Sequence, residues 1–316
     1  QSMEMEDFRQ ICQRSSSDIQ KHFSYKRPYA HQAGGHDELI QIGKNIVAKP
    51  CSAREAWFYH NCAEIIGPYA PQCHGFWMGE DGKPTVLLQD LTSGFQKPCV
   101  LDIKMGSSTA APDRPPSKQA SCSAKDRITT TGSIGARICG LRVFKPQNEE
   151  YRSYDKHWGK NLKFDEFSSA VERFFDNGVR VRRDLAIRFL EKLQEILELF
   201  QADSMKFRFY ASSILFIYEG AEELGNSCEQ TEQLPEQKVP SDQTANLDVR
   251  MIDFAHVIPL DGQKELRDEA YICGLRNLIE IFEGIGLGLD PSAIQVSRLR
   301  KSVRMCMVCN SRYVWL

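Results

Sequence analysis

Apolar and polar positions alternate most clearly over Pro98–Gly106. There Leu101, Ile103 and Met105 fall on one face of an extended strand, and Asp102 and Lys104 on the other. Pro98 suits the start of such a strand, and Gly106 a sharp turn at its end. Further apolar runs predict strands at about Leu39–Ile42, Asn45–Lys49, Thr85–Leu88, Ile134–Phe144, Phe207–Glu219 and Val249–Val257. Val47 and Lys49 share one face of the second of these. Helical spacing predicts helices over Ala53–Ile66, Asp165–Asp176, Asp184–Gln201 and Tyr271–Phe282. Ser52 is placed to cap the first, with Glu55 three residues on as in a capping box, and Gly67-Pro68 ends it. Ser107–Thr131 reads as a solvated loop in which Pro112, Pro115 and Pro116 break any long helix. Tyr151–Phe164 reads as a polar loop, and residues 1–27 as polar and irregular. Residues 221–247 hold Gln, Glu and Pro with almost no large apolar side chains. Such a composition does not offset the entropy of ordering, so a disordered insertion is expected.

Composition narrows the class. The 316 residues are 41% hydrophobic and 26% charged, which suits one or two globular domains. A net charge of -2 gives no general bias toward nucleic acid or a membrane surface, so an anion site requires local clustering of cations. No apolar run is long enough to span a bilayer, and no charged-then-apolar leader is expected. The cysteines number 11, scattered and odd, which fits reduced thiols and a cytoplasmic or nuclear setting. Cys306-Met307-Val308-Cys309 lacks the second ligand pair that a zinc site needs.

Several charged residues have two readings. Asp102 and Lys104 either pair at a surface or face a common site. Glu55 either completes the cap of its helix or pairs with Lys49. Asp253 interrupts an apolar run, where an unpaired charge costs several kcal/mol, so it requires a metal ion or a protein cation as partner.

The stretch Pro98 to Gly106 resembles the P-x-x-x-D-x-K-x-G signature of the inositol polyphosphate kinase family. Ser212-Ser213-Ile214-Leu215 and Ile252-Asp253-Phe254 match the same family in the expected order. His31-Gln32-Ala33-Gly34-Gly35-His36 and Lys49-Pro50 with Arg54-Glu55 are similar to it as well, so the resemblance covers roughly residues 28–284. It implies an α+β, two-lobed fold distantly like protein kinases, with antiparallel sheets and packed helices. The N-terminal lobe would be residues 1–97 and the C-terminal lobe 98–290, leaving 291–316 as an unassigned basic tail.

The resemblance also implies roles, with ATP and Mg2+ as cofactors and an inositol polyphosphate as substrate. Lys49 would hold the ATP phosphates, with Glu55 fixing it. Gln89 and Leu91 in the hinge would seat adenine, Asp102 the ribose, and Asp253 the magnesium. Lys104 would bridge the γ-phosphate and the substrate, with Ser213 and His256 as supporting groups. Lys104, Lys125, Arg127, Lys156 and Lys160 would bind substrate phosphates. Flanking residues Ala48-Lys49-Pro50 and Arg137-Ile138-Cys139-Gly140 look most like the hexakisphosphate kinases of the family, and Asp90-Leu91-Thr92 through Lys97-Pro98 more like the multikinase. No G-x-x-x-x-G-K-S/T loop, G-x-G-x-x-G or H-R-D loop is present, which argues against other kinase classes. A non-catalytic inositol phosphate sensor is the competing class, disfavoured by the intact Lys49, Asp102, Lys104 and Asp253.

Overall fold

Two five-stranded sheets, every pairing antiparallel, carry the structure. The computed structural model describes residues 26–34, 38–78, 84–221, 246–260 and 267–294. The expectations for residues 1–25 and 222–245, the chain beyond Ile294, Gly35 and His36, and the Cys306–Cys309 pair lie outside them.

The first sheet has the order β1-β2-β3-β5-β4. Its strands are β1 (Lys26–Pro28), β2 (Ile40–Ile42), β3 (Ile46–Pro50), β4 (Cys73–Met78) and β5 (Pro84–Gln89). Helix α1 (Ala53–Asn61) follows β3, and Ser52 Oγ accepts the Glu55 N–H at 3.1 Å, the expected cap. The helix is shorter than its periodicity predicts. Its cap at Cys62 leaves the helical region, and a 3-10 turn, Ala63–Tyr69, carries the chain on through Gly67 at φ 53°.

The second sheet has the order β11-β10-β6-β7-β8, so β6 (Pro98–Met105) lies between β10 (Ser213–Glu219) and β7 (Ala136–Lys145). The outer strands are β8 (Glu150–Tyr154) and β11 (Leu247–Ile252), and a separate pair joins β9 (Phe207–Phe209) to β12 (Val257–Pro259). In β6 the residues Cys99, Leu101, Ile103 and Met105 are buried, as its alternation predicts, and Val100 and Asp102 on the opposite face are buried as well.

Four expectations are corrected here. The Ser107–Thr131 stretch is not a loop throughout: α2 (Pro116–Ile128) and α3 (Thr130–Ile134) occupy its second half. Pro116 sits in the first turn of α2, where its missing N–H costs nothing, so the prolines start the helix instead of breaking it. Tyr151–Phe164 is likewise ordered, as part of β8 and then α4 (Lys156–Asn161). Asp155 caps α4 by accepting the N–H groups of His157 and Trp158. The run Phe207–Glu219 is two strands, broken where Ala211 takes φ 57°. The run Val249–Val257 is also two, broken where Asp253 takes φ 66°.

Helices α5 (Phe167–Phe175), α6 (Arg183–Gln201) and α7 (Glu269–Gly286) pack on the second sheet through the apolar stripes their spacing predicts. Phe174, Phe175, Phe189, Phe216 and Phe282 form one fully buried ring cluster, each burial contributing roughly 1.5–3 kcal/mol. A last short helix, α8 (Pro291–Ile294), seats Ile294 against Gly284.

Gly159 on α4 decides where that helix lies. A Cβ there would stand 2.0 Å from the Ile138 carbonyl oxygen of β7, so only glycine lets α4 press onto the strand. Gly159→Ala is expected to lose about 2 kcal/mol of stability in urea unfolding, the usual range for an overpacked contact against backbone. An unchanged midpoint would show that α4 is not held by this approach.

Candidate functional site

The strand β3 ends with Lys49 facing inward, α1 places Glu55 beside it, and the turn after β11 brings Asp253 from the other sheet. Lys49 Nζ lies 2.6 Å from Glu55 Oε1 and 2.5 Å from Asp253 Oδ1. Glu55 Oε1 also accepts the Phe254 N–H at 3.2 Å. Of the two readings of Glu55, its side chain takes the ion pair: Ser52 caps the helix by accepting the Glu55 N–H, while the carboxylate turns to Lys49 instead of closing a capping box. Burial disfavours charge on Lys49, but Asp253 and Glu55 together hold its pKa well above the ordinary lysine value. Burial pushes the Glu55 carboxyl up, and Lys49 opposes that shift. Asp253 itself is not enclosed in an apolar strand as its sequence context implies. Its side chain is 32% exposed, and a protein cation is its partner.

Beyond this pair lies the face of β6. Asp102 is 4% exposed, and its Oδ1 has no hydrogen-bond partner among the described residues. The backbone of Gly34 packs directly on it: a Cβ at that position would stand 2.3 Å from Oδ2. Burial raises the Asp102 pKa to about 6, Asp253 adds to the shift, and Lys104 opposes it. Lys104 Nζ donates to the Ala211 carbonyl at 2.7 Å, the carbonyl of the residue held at positive φ.

Cross-strand register sets Ser213 opposite Lys104 on one side and Arg137 opposite it on the other. Ser213, Lys104 and Arg137 therefore form a row across three strands. Arg137 reaches this face because of a bulge. Asp102 pairs with Gly140 but Ile103 with Ile138, so Cys139 is an extra residue and the alternation of β7 inverts at that point. Simple period-two reading from Gly140 would have turned Ile138 to the site and buried Arg137 in the core.

One cavity of about 410 Å³ joins these groups. Lys49, Glu55, Gln89, Leu91, Asp102, Lys104, Lys156, Lys160, Ser213, Asp253 and His256 all line it, as do Arg114, Arg137, Tyr29 and Cys139. Lys125 and Arg127 do not line it; both are exposed on α2. Lys125 nevertheless acts on the site. Burial first, and then the charges of Lys125, Arg137 and Lys156, lower the Lys160 pKa. Burial and the neighbouring Arg114 charge hold the His256 ring down at about 4, so it is neutral near pH 7. Among the sequence expectations Arg114 and Tyr29 are absent from the site. Arg114 follows a proline-rich segment that reads as solvated, and Tyr29 precedes the predicted strands.

The hinge residues are fixed by a buried carboxylate between them. Asp90 accepts from Tyr29 Oη at 3.0 Å, Gln41 Nε2 at 3.0 Å, the Thr92 N–H at 2.9 Å and Thr92 Oγ1 at 2.8 Å. Four donors on one side chain hold the segment Gln89–Leu91 against the edge of the cavity.

The sequence model of the inositol polyphosphate kinase family matches residues 85–283. Inositol hexakisphosphate kinase 3 of Mus musculus is 34% identical over 208 residues, covering 64% of this chain and 51% of that protein. Inositol hexakisphosphate kinase 2 of Homo sapiens is 36% identical over 214 residues, covering 62% and 50% respectively. The chain thus spans about half the length of the curated relatives it matches. Among solved structures, an inositol phosphate multikinase from S. cerevisiae in complex with ADP and Mn2+ is similar with a TM-score of 0.63 and 26% identity. That similarity covers 76% of this chain and 99% of the other. A further inositol phosphate multikinase structure shares the fold, with a TM-score of 0.58.

The burial of Asp102 has a measurable cost. Its folded pKa, about 6, lies above the unfolded value near 3.9, so the charged form subtracts from stability. The subtraction is absent below about pH 4 and complete above about pH 6. Asp102→Asn is expected to be more stable than the parent by ~2–3 kcal/mol in urea at about pH 7.5, with the gain fading by about pH 4. Equal midpoints at the higher pH would show that the carboxylate is better solvated than its surroundings indicate.

Proposed function

The chain belongs to the inositol polyphosphate kinase family, and from that premise we propose that it transfers the γ-phosphoryl group of ATP to an inositol polyphosphate, with inositol hexakisphosphate as the acceptor. The observation that carries this reading is a single cavity with a lysine held between two carboxylates at one end and a concentration of cations at the other. Lys104, Arg114, Arg137, Lys156 and Lys160 share that cavity with Lys49, and among the described residues lining it they outnumber the carboxylates Glu55, Asp102 and Asp253. Such a pocket suits a dense polyanion.

In this reading Lys49 holds the ATP phosphates, with Glu55 fixing its position. Gln89 and Leu91 bound the adenine end, and Asp102 accepts from the ribose hydroxyls. Lys104 sits between the γ-phosphate and the acceptor, steadied by the Ala211 carbonyl until it engages both. Ser213, Arg114, Arg137, Lys156, Lys160 and the His256 ring complete the acceptor end.

A divalent cation fits the donor set. Among the described residues no group of three or more His, Cys, Asp or Glu forms a protein cage. One partly exposed carboxylate, Asp253, suits magnesium, which keeps several waters and takes its other ligands from nucleotide phosphates. When bound, the ion would neutralise charge on the phosphates. Asp253, now paired with Lys49, would hold the ion, and Lys49 would turn to the nucleotide phosphates.

The choice of acceptor rests on proton bookkeeping. Inositol hexakisphosphate has no free hydroxyl, so its nucleophile is a phosphate oxygen that is already ionised at neutral pH. The bond from the γ-phosphorus to the β,γ-bridging oxygen of ATP breaks, releasing ADP, as the new phosphorus–oxygen bond forms, and no base is required. His256, with its pKa near 4, is a poor base at pH 7. Acceptors with a ring hydroxyl, the alternative in which the chain acts as a multikinase on tris- and tetrakisphosphates, must lose a proton in the same step. That alternative draws support from the structural likeness to the S. cerevisiae multikinase.

Products of radiolabelled ATP and inositol hexakisphosphate, separated by charge, test the acceptor: a species more acidic than the hexakisphosphate is expected. Labelling of tris- and tetrakisphosphates alone would assign the chain to the multikinase reaction, and tight binding without turnover to a sensor. Asp253→Asn is expected to retain the fold and lose turnover by about two orders of magnitude or more. Near-normal activity in that variant would remove Asp253 from the metal site.

A further inference from the structure

Helix α2 is attached to the protein in an unusual way. Asp126 is the one buried residue among its 13, and it is a carboxylate, not an apolar side chain. Both oxygens are engaged by a single residue: Thr109 donates its N–H to Oδ2 at 2.7 Å and its hydroxyl to Oδ1 at 2.8 Å. Thr109 lies four residues past Met105, the last residue of the signature strand β6, and is itself 5% exposed. The loop between them is anchored in turn. The Gly106 N–H donates to the Gly135 carbonyl at 2.9 Å, and the Ser107 N–H to the Ala270 carbonyl at 3.3 Å, at the start of α7.

Other contacts place the C-terminal end of α2 beside the cations of the cavity. Thr129 Oγ1 donates to the Lys125 carbonyl at 3.0 Å, and Arg137 Nη1 approaches Thr129 Oγ1 at 3.5 Å. Gly132 of α3 packs against the backbone of Asp126: a Cβ there would stand 2.6 Å from the Asp126 carbonyl oxygen. The N-terminal end of α2, by contrast, is tied chiefly to its own approach. Gln119 Nε2 donates to the Pro112 and Arg114 carbonyls at 2.9 and 2.7 Å.

We propose that Asp126 is a positioning residue, whose two-oxygen clamp on Thr109 fixes helix α2 against the post-signature loop and so sets Arg114 at the cationic end of the cavity. Lys125 stands outside the cavity but close enough for its charge to act on Lys160. The identity of the anion rests on the kinase reading, and the clamp on geometry alone. A helix with an apolar stripe is held by many small contacts and tolerates loss of any one. This helix has a single buried anchor, so its orientation follows that anchor. The clamp also takes its reference from the strand that carries Lys104, which couples the acceptor's cations to the lysine at the point of transfer. Asp126 touches neither ATP nor acceptor in this scheme. Its effect passes through the placement of others, where small displacements carry large consequences.

The test uses Asp126→Asn, which keeps the shape but turns a donor toward one of the Thr109 donors, and Thr109→Val, which removes one of the two bonds. Hydrogen exchange over residues 116–128 is measured on the protein without ligand. Affinity for inositol hexakisphosphate is measured by calorimetry, and KM for ATP and for the acceptor by steady-state assay. Asp126→Asn is expected to speed exchange in that helix about tenfold or more while the global melting point moves little. It is expected to weaken hexakisphosphate binding and raise the acceptor KM about tenfold, with the ATP KM within about twofold of the parent and Thr109→Val intermediate. Unchanged exchange in α2 overturns the clamp, and faster exchange with unchanged acceptor affinity overturns its positioning role. A variant that melts globally, or weakens ATP and acceptor alike, marks Asp126 as merely structural and also overturns it. A parent protein that binds the hexakisphosphate but does not turn it over counts against the kinase reading alone, because the exchange and affinity arms need no catalysis.

Discussion

The ammonium of Lys49, shared between Glu55 and Asp253, is the interaction on which the arrangement of the site depends. Its partners come from a helix that follows its own strand and from a turn 204 residues later, at the end of a strand in the other sheet. Glu55 is 2% exposed, a position where an ionised carboxylate is sustained only by an opposite charge and hydrogen bonds. Removing one partner of such a buried pair commonly costs about 3–5 kcal/mol, because the other charge is left behind. The Phe254 N–H, donated to the same Glu55 oxygen, ties the backbone after Asp253 into the arrangement. One cation thereby ties the two sheets together at this end of the cavity.

Two backbone positions are held away from their comfortable conformations beside that cavity. Ala211 and Asp253 both adopt positive φ, which costs a residue with a Cβ on the order of 1–2 kcal/mol. Each does something a relaxed strand would not. The turn at Ala211 aims its carbonyl at Lys104, and the turn at Asp253 swings a carboxylate out of the strand direction toward Lys49. The surroundings that hold them there are aromatic: Phe254 stacks at 4.5 Å from Phe58, and Phe209, one strand over, meets both Phe58 and Phe254. Rigid packing next to strained turns is how a fold keeps such geometry without letting it relax.

Much of this was legible in the chain. Alternation in Pro98–Met105 placed Asp102 and Lys104 on one face, and the family signature attached meaning to them. The spacing from Lys49 to Glu55, with Ser52 before it, allows either a capping box or an ion pair for the Glu55 side chain, and the fold uses the ion pair while Ser52 caps the helix alone. The failures have specific physical causes. Prolines ahead of α2 look like breakers in the sequence although their position makes them helix starters, and a lone capping aspartate, Asp155, is a weak signal for a helix as short as α4, on which Lys156 and Lys160 face inward. Long apolar runs hid the turns at Ala211 and Asp253, since a single positive φ leaves no trace in hydropathy. Arg137 was obscured by the bulge at Cys139, because an inserted residue inverts every alternation argument beyond it.

The row Ser213, Lys104 and Arg137 has a consequence for how such a pocket diversifies. These three side chains stand on adjacent strands of a continuous ladder, so the separation of their stems is the strand pitch, about 4.8 Å, and is not set by side-chain choice. The sheet acts as a ruler along that wall of the cavity, and substitution elsewhere cannot lengthen or shorten it. Lys156 and Lys160 stand on a short helix resting on that ruler, and Arg114 on the approach to another. Those mountings can tilt, lengthen or exchange a charge one residue at a time. A scaffold of this kind can therefore vary its helix-borne cations one at a time while the spacing across the sheet keeps its calibration.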